Sequence, residues 1–347
     1  MFLTMVEGIL GIGNSNNLKT IGKRVCGRYL LINLETALMS LALIVVFFHL
    51  SFGGGGNSDN QAKAILDFVL SIIPGDIFSP FVNGNTIQII FMAMLTGGVM
   101  LGMRSRLGEA EKLTRQLNLI VQQIFEMVLW FLPVFIYLSI LRIGLSENLS
   151  SLTRFITTLL AFVVGLVVMD LFLLAVVKIR TRQPILPFLK AAFPSVMIAL
   201  LTQSSAATFS EASSNMTDHL GIRKKLVDFG LPIGYILCKP VSTMWMMLLS
   251  STCMIISNIP ITPVKMITLI LVAVILCVAM PPVPGGAMVC YTQLFSQLGI
   301  PNDMLALLSV FELAIDALAT TNNVFALQAE LYISAGQLRM VDGFGGE

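Results

Sequence analysis

Charge is what this sequence has least of. Only 12% of its 347 residues are Asp, Glu, Lys or Arg, about half the roughly 25% usual in soluble domains. Hydrophobic residues make up 56%. Disorder requires low hydrophobicity and high charge, so it is excluded. A soluble enzyme is disfavoured, because too few charges remain to cover a water-facing surface. The net charge of +2 lacks the basic excess that nucleic-acid binding demands. The five cysteines, Cys26, Cys238, Cys253, Cys277 and Cys290, form no CxxC pair. Neither a disulfide framework nor a zinc site is expected from that spacing. There are only two histidines. His49 sits at the end of an apolar span. His219 follows Asp218 in a turn with serines nearby, but no glycine elbow presents a nucleophile. No catalytic residue, metal centre or cofactor is expected. No secretory signal peptide is visible. Residues 2–12 are apolar but too short, at roughly 1.5 Å per residue, to cross a bilayer core of roughly 30 Å. They read as the tail of a helix.

What the chain does have is long apolar segments, the mark of an all-α polytopic membrane protein. Residues 29–50, 117–141 and 155–177 are long enough to span. Residues 66–103 are apolar but broken by Pro74, Pro80 and several glycines. Further on the pattern changes. An apolar stretch from 191 runs into Thr202-Gln203-Ser204-Ser205. The segment 226–256 is interrupted by Cys238-Lys239-Pro240. The segment 267–298 is interrupted by Pro281-Pro282-Val283-Pro284-Gly285-Gly286. The last segment, 304–333, carries Glu312, Asp316, Asn322, Asn323 and Glu330.

Basic residues give the sidedness. Grouping alternate span ends places sixteen Lys and Arg on one side, from Lys19 to Arg339, and four on the other, Lys63, Arg142, Arg154 and Lys265. Only Lys239 falls inside a span. This asymmetry makes the first side cytoplasmic. It also requires 191–219 and 267–298 to leave and re-enter the same side, so both are predicted to be re-entrant hairpins. Free backbone groups at membrane depth are tolerated only where protein or a watered cavity surrounds them. Discontinuous elements meeting near the midplane point to the site of a secondary transporter.

The residues that build these elements resemble those of the dicarboxylate/amino-acid:cation symporters, the glutamate transporter homologues. The stretch TQSSAATFSEASSNMTDHLGIRKKLVDFGLPIG, residues 202–234, resembles the family's first hairpin, its LGI turn and its following helix start. Val283-Pro284-Gly285 resembles the second hairpin tip. Leu298–Pro301, Ile315-Asp316-Ala317 and the upstream Ile73-Pro74 and Gly84-Asn85 match in order. The resemblance implies two helices before residue 29, of which only an end is seen in 1–28. It further implies a homotrimer, an elevator mechanism, a scaffold drawn from 66–141, and a transport domain. That domain would comprise 29–50, 155–190 and 191–335, with 336–347 as a cytoplasmic tail. Its substrate-binding residues would include Ser204, Ser205, Thr208, Val283, Pro284, Gly285, Thr320 and Asn323.

The ion and substrate positions depart from that pattern. By alignment on Leu231-Pro232-Ile233-Gly234, the sodium-binding aspartate of the broken helix becomes Pro240, preceded by Lys239. In the last helix Asp316 is kept. The aspartate that would hold an amino group is Thr320, and the arginine that would pair an acidic substrate is Asn323. The resemblance places the family's next threonine and asparagine at Val324 and Leu327, and its final sodium-binding aspartate at Leu331, or at Glu330 if the register slips by one. Asn323 offers only neutral hydrogen bonds, so acidic amino acids are not expected as substrates. Hard cations want oxygen ligands, and a nearby ammonium repels them. Intramembrane charges are usually paired. Lys239 is therefore expected to occupy the space of a lost sodium ion and to pair with Asp316 or Glu35. The expected function is secondary active transport of a small organic solute across the cytoplasmic membrane, such as an amino acid or carboxylate. Transport is expected to be independent of sodium or coupled through a proton, and the sequence leaves the coupling cation, sodium or proton, open. The alternative is a non-transporting membrane interaction or sensor relative.

Overall fold

The computed structural model describes residues 2–10, 18–48, 70, 72–83, 85–103, 106–131, 134, 137–138, 149–280, 286–301 and 304–341. Among them the structure is helical, and the only strand-like pairing is an isolated bridge between Ile222 and Val341. The helices are α1 (Phe2–Leu10), α2 (Leu18–Phe48), α3 (Thr86–Gly102), α4 (Gly108–Leu129), α5 (Leu149–Thr181), α6 (Ile185–Thr202), α7 (Phe209–Ser214), α8 (Lys224–Leu237), α9 (Pro240–Ile256), α10 (Pro263–Ala279), α11 (Gly286–Leu298) and α12 (Met304–Gln337). Among the described residues, four stretches have the length and apolarity to cross a membrane: Gly22–Phe48, Thr153–Thr181, Ile185–Thr202 and Lys224–Ile256. Helix α2 begins at Leu18, so residues 18–28 of the stretch read as linker are helical and continuous with the span that follows. Helix α4 begins at Gly108 with a charged first turn, Glu109 and Glu111, ahead of the apolar segment read from sequence.

The interruptions have local causes. Helix α6 ends because Gln203 turns left-handed, at φ 53°. The Ser204 amide then donates to Thr202 Oγ1 at 3.2 Å, and a 3₁₀ turn at Ala206–Thr208 leads into α7. The chain thus reverses at the serine-rich tip. Between α8 and α9, Cys238 (φ −95°, ψ 89°) and Lys239 (φ −132°, ψ 54°) are non-helical. Pro240 explains this, since the residue before a proline is disfavoured in the α region. Pro240 then starts α9, where its missing N–H costs nothing. The arms α10 and α11 pack on each other, with Cys290 Sγ donating to the Leu276 carbonyl at 3.6 Å.

Helix α9 is the centre of the molecule. From Val241 to Met254 every residue except Ser242 is buried, the pattern of a helix surrounded by others. It packs against α2, α5 and α12. On the outside, α2 exposes Leu30, Leu31, Leu34 and Leu38, and α5 exposes Leu160, Val164, Val167 and Leu171. Such a continuous apolar face is stable only against lipid or another protein surface. Helix α1 packs on α3 and α4, with the Asn118 amide donating to the Glu7 carboxylate.

Candidate functional site

The helix break, the first hairpin tip and α12 converge on one pocket. Gln203 and Ser205 come from the tip, and Tyr235, Cys238, Lys239 and Ser242 from the break and its flanks. Met280 ends α10. Asp316, Thr320, Asn323, Val324 and Leu327 form the α12 wall. The space admitting water is about 40 Å³, room for roughly three waters at about 10–15 Å³ each. A solute of several heavy atoms therefore needs these walls to part.

The freed backbone groups of the break are satisfied by this chain's own side chains. Asn33 of α2 reaches both edges. Its Nδ2 donates to the Leu237 carbonyl at 2.6 Å, and its Oδ1 accepts from the Lys239 amide at 3.0 Å. The Lys239 carbonyl accepts from the amide and hydroxyl of Thr243. Asn323 Oδ1 accepts from the Val241 amide at 2.9 Å, one of the orphan donors of the first turn of α9. Asn323 Nδ2 donates to Ser242 Oγ at 2.8 Å. Asn323 thus holds the start of α9.

Lys239 is buried, and its Nζ donates to the Met280 carbonyl at 2.7 Å. That carbonyl lies at the C-terminal end of α10, where the helix dipole favours a cation. Asp316 shares the pocket and interacts electrostatically with Lys239. Glu35 does not take part. It is half-buried in a lateral groove with Ile32, Thr36, Met39, Met169 and Phe172. The expectation that Lys239 pairs with Glu35 is corrected: along α2, it is the face carrying Asn33 that meets the break.

The other expected positions are as follows. Ser204 lies at the tip, with its hydroxyl accepting from the Ala207 amide at 3.3 Å. Thr208 is buried. Its hydroxyl donates to the Ser205 carbonyl at 2.7 Å and lies 2.8 Å from Tyr235 Oη, tying the tip to α8. Thr320 lines the pocket. Val283, Pro284 and Gly285 lie outside the described residues. Pro240 is the first residue of α9. Leu327 and Leu331 are buried and fill space against α8. A Cβ on Gly234 would meet Leu327 Cδ1 at 1.8 Å, and one on Gly230 would meet Leu331 Cδ1 at 2.4 Å. Glu330, fully buried, takes a bidentate pair from Arg28, both contacts 2.7 Å.

Sequence reading missed Asn33, Tyr235 and the Arg28–Glu330 pair. Asn33 had a signal, as a polar residue inside a span. Its partners, about two hundred residues away, had none.

Comparison with known proteins gives one family. Residues 1–333 match the model of the sodium:dicarboxylate symporter family. The C4-dicarboxylate transport protein 1 of Pseudomonas aeruginosa (strain UCBPP-PA14) is 21% identical over 305 residues, covering 83% of this chain and 67% of the relative. The proton/sodium-glutamate symport protein of Bacillus subtilis (strain 168) is 23% identical over 346 residues, covering 92% of this chain and 78% of the relative. Excitatory amino acid transporter 2 of Mus musculus is 23% identical over 273 residues, covering 76% and 47%.

Proposed function

The chain belongs to the sodium:dicarboxylate symporter family, and from that membership we propose that it is a secondary transporter whose sodium ligands have been replaced by its own side chains. Its family and relatives are secondary transporters, and it is a multi-pass integral membrane protein. We place it in the cytoplasmic membrane, with the sixteen-to-four basic asymmetry as support.

The observation that carries the reading is the contact of Lys239 Nζ with the Met280 carbonyl. A cation site at a helix break needs free carbonyl oxygens and carboxylates. Here a tethered ammonium occupies one such carbonyl, and Asn33 occupies the backbone groups beside it. Leu327 and Leu331 replace the remaining polar positions with hydrocarbon. A free sodium ion at the break would face the Lys239 charge at close range. Asp316 is the pocket's carboxylate and the group we assign to proton coupling, where coupling exists.

The solute follows from the same charges. The pocket presents one ammonium, one carboxylate, and the neutral Ser205, Thr320 and Tyr235. That set matches the two ends of a zwitterion with a neutral side chain better than a dicarboxylate, which would need two cationic partners. Ser204 and Thr208 shape the first tip, and Val283, Pro284 and Gly285 are assigned to the second gate by their place in the sequence. We assign α2 and α5–α12 to a moving transport domain and α1, α3 and α4 to a scaffold. The assembly is a homotrimer in this proposal. The trimer rests on the family membership alone; that the pocket is built wholly from residues after 191 supports the assignment of those helices to the transport domain.

The test is solute-dependent thermal stabilisation of the purified protein, because a ligand of the native state raises apparent stability. A panel of neutral amino acids should contain a stabilising member, and dicarboxylates should not. Stabilisation by dicarboxylates alone would overturn the reading.

A further inference from the structure

A second opening, sharing no lining residue with the transport pocket, lies on the cytoplasmic flank between α2, α5 and the end of α12. It has room for about 510 Å³ of water, more than ten times the transport pocket on the same measure. Its rim is basic, formed by Arg28, Arg180 and Arg182, with Gln337 of α12 beside them. Its wall is apolar, formed by Phe172, Val176 and Ile179 of α5. Phe172 is 45% exposed and Ile179 71% exposed.

The arginines differ in what they have to spare. Arg28 is committed to the buried Glu330. Arg180 and Arg182 are exposed and have no hydrogen bond or ion pair with another described residue through their side chains. Their positions are fixed by the end of α5. Arg182 is left-handed, at φ 55°, its amide donates to the Lys178 carbonyl, and the Gln183 amide donates to Thr181 Oγ1. Glu35 also lines the groove, but it stands seven residues further along α2 than Arg28. That is about 10 Å by helix rise, deeper in the membrane than the guanidinium rim.

Two free guanidinium groups above an apolar wall fit an amphiphile with an anionic head. We propose that this groove binds an anionic phospholipid. Its phosphodiester takes Arg180 and Arg182, and an acyl chain lies along Phe172, Val176 and Ile179. Basic pockets between transmembrane helices on the cytoplasmic side suit such headgroups, and guanidinium groups suit phosphate oxygens. The site is independent of what the transport pocket carries.

The test uses the whole chain in detergent with three additives: phosphatidylglycerol, phosphatidylcholine of the same acyl chains, and inorganic phosphate. Phosphatidylglycerol should raise the melting temperature more than phosphatidylcholine does, and inorganic phosphate should leave it unchanged. Arg180→Ala/Arg182→Ala should weaken phosphatidylglycerol binding roughly 30-fold, at about fivefold per arginine. Arg28 is left intact, since its loss would strand Glu330. On the unaltered chain, native mass spectrometry should retain one phosphatidylglycerol under conditions that strip phosphatidylcholine. The proposal fails if the double variant binds phosphatidylglycerol as the parent does. It also fails if phosphate alone reproduces the shift, or if the two lipids are retained equally.

Discussion

Asn33 spans the gap in the broken helix by hydrogen-bonding Lys239 on one side and Leu237 on the other: its Oδ1 accepts from the Lys239 amide at 3.0 Å while its Nδ2 holds the Leu237 carbonyl at 2.6 Å. One side chain of α2 thus satisfies two buried backbone groups that the break sets free. Leaving a buried donor or acceptor unpaired costs about 1–3 kcal/mol each. Asn33→Ala should therefore destabilise the protein by roughly 2–6 kcal/mol, read as a lower denaturation midpoint in detergent. A midpoint unchanged from the parent would mean that water replaces the amide at no cost.

The ammonium of Lys239 makes a charged hydrogen bond to Met280, a type worth about 1.5–3 kcal/mol. Lys239→Ala should lose that stability. It should also gain something the parent lacks, a sodium-specific rise in melting temperature, because the Met280 carbonyl and Asp316 are then left without their cation. Equal melting of the variant in sodium and choline salts would show that the lysine fills no cation's place.

The Arg28–Glu330 pair joins α2 to α12, with the Glu330 side chain fully buried and Arg28 16% exposed. Removing one partner strands the other. Arg28→Met should cost about 3 kcal/mol or more, while Arg28→Met/Glu330→Met should recover most of the loss, since apolar replacement of a buried pair is often near neutral. A double-mutant cycle on thermal unfolding measures this. A double variant as unstable as the single one would assign the pair a role beyond charge compensation.

Gly234 lies against Leu327 and the Tyr29 ring. Gly234→Ala should overpack this contact by about 1–3 kcal/mol. With Leu327→Ala in the same chain the costs should be less than additive, because the two changes share one space. Additive costs in thermal unfolding would place the strain elsewhere.

Much of this was legible in the sequence because it follows from local rules. Pro240 disfavours the helical region at the residue before it, so Lys239-Pro240 inside an apolar run marks a break. The serine-rich run after Leu201 cannot continue an apolar span, and the basic residues sort by side regardless of packing. The order of motifs then led to the family. The contacts of the site were less legible. Which face of α2 meets the break depends on helix rotation, and a shift of two residues separates the useful Asn33 from the lateral Glu35. Asn323 reads from its position as a substrate ligand, yet it holds the start of α9. Arg28 and Glu330 are 302 residues apart, and nothing local to either marks the pair. Lys239 was visible as an anomaly, but its partner at Met280 is a backbone carbonyl, which no sequence pattern displays.

The central claim is that this transporter carries its own cation at the helix break and does not use sodium. The most direct measurement is the melting temperature of the purified protein as sodium chloride replaces choline chloride at constant ionic strength. Sodium at about 100 times its Kd would contribute about 2.7 kcal/mol to a protein that binds it. The account predicts superimposable melting curves at every sodium concentration. A saturable, sodium-specific rise would contradict it.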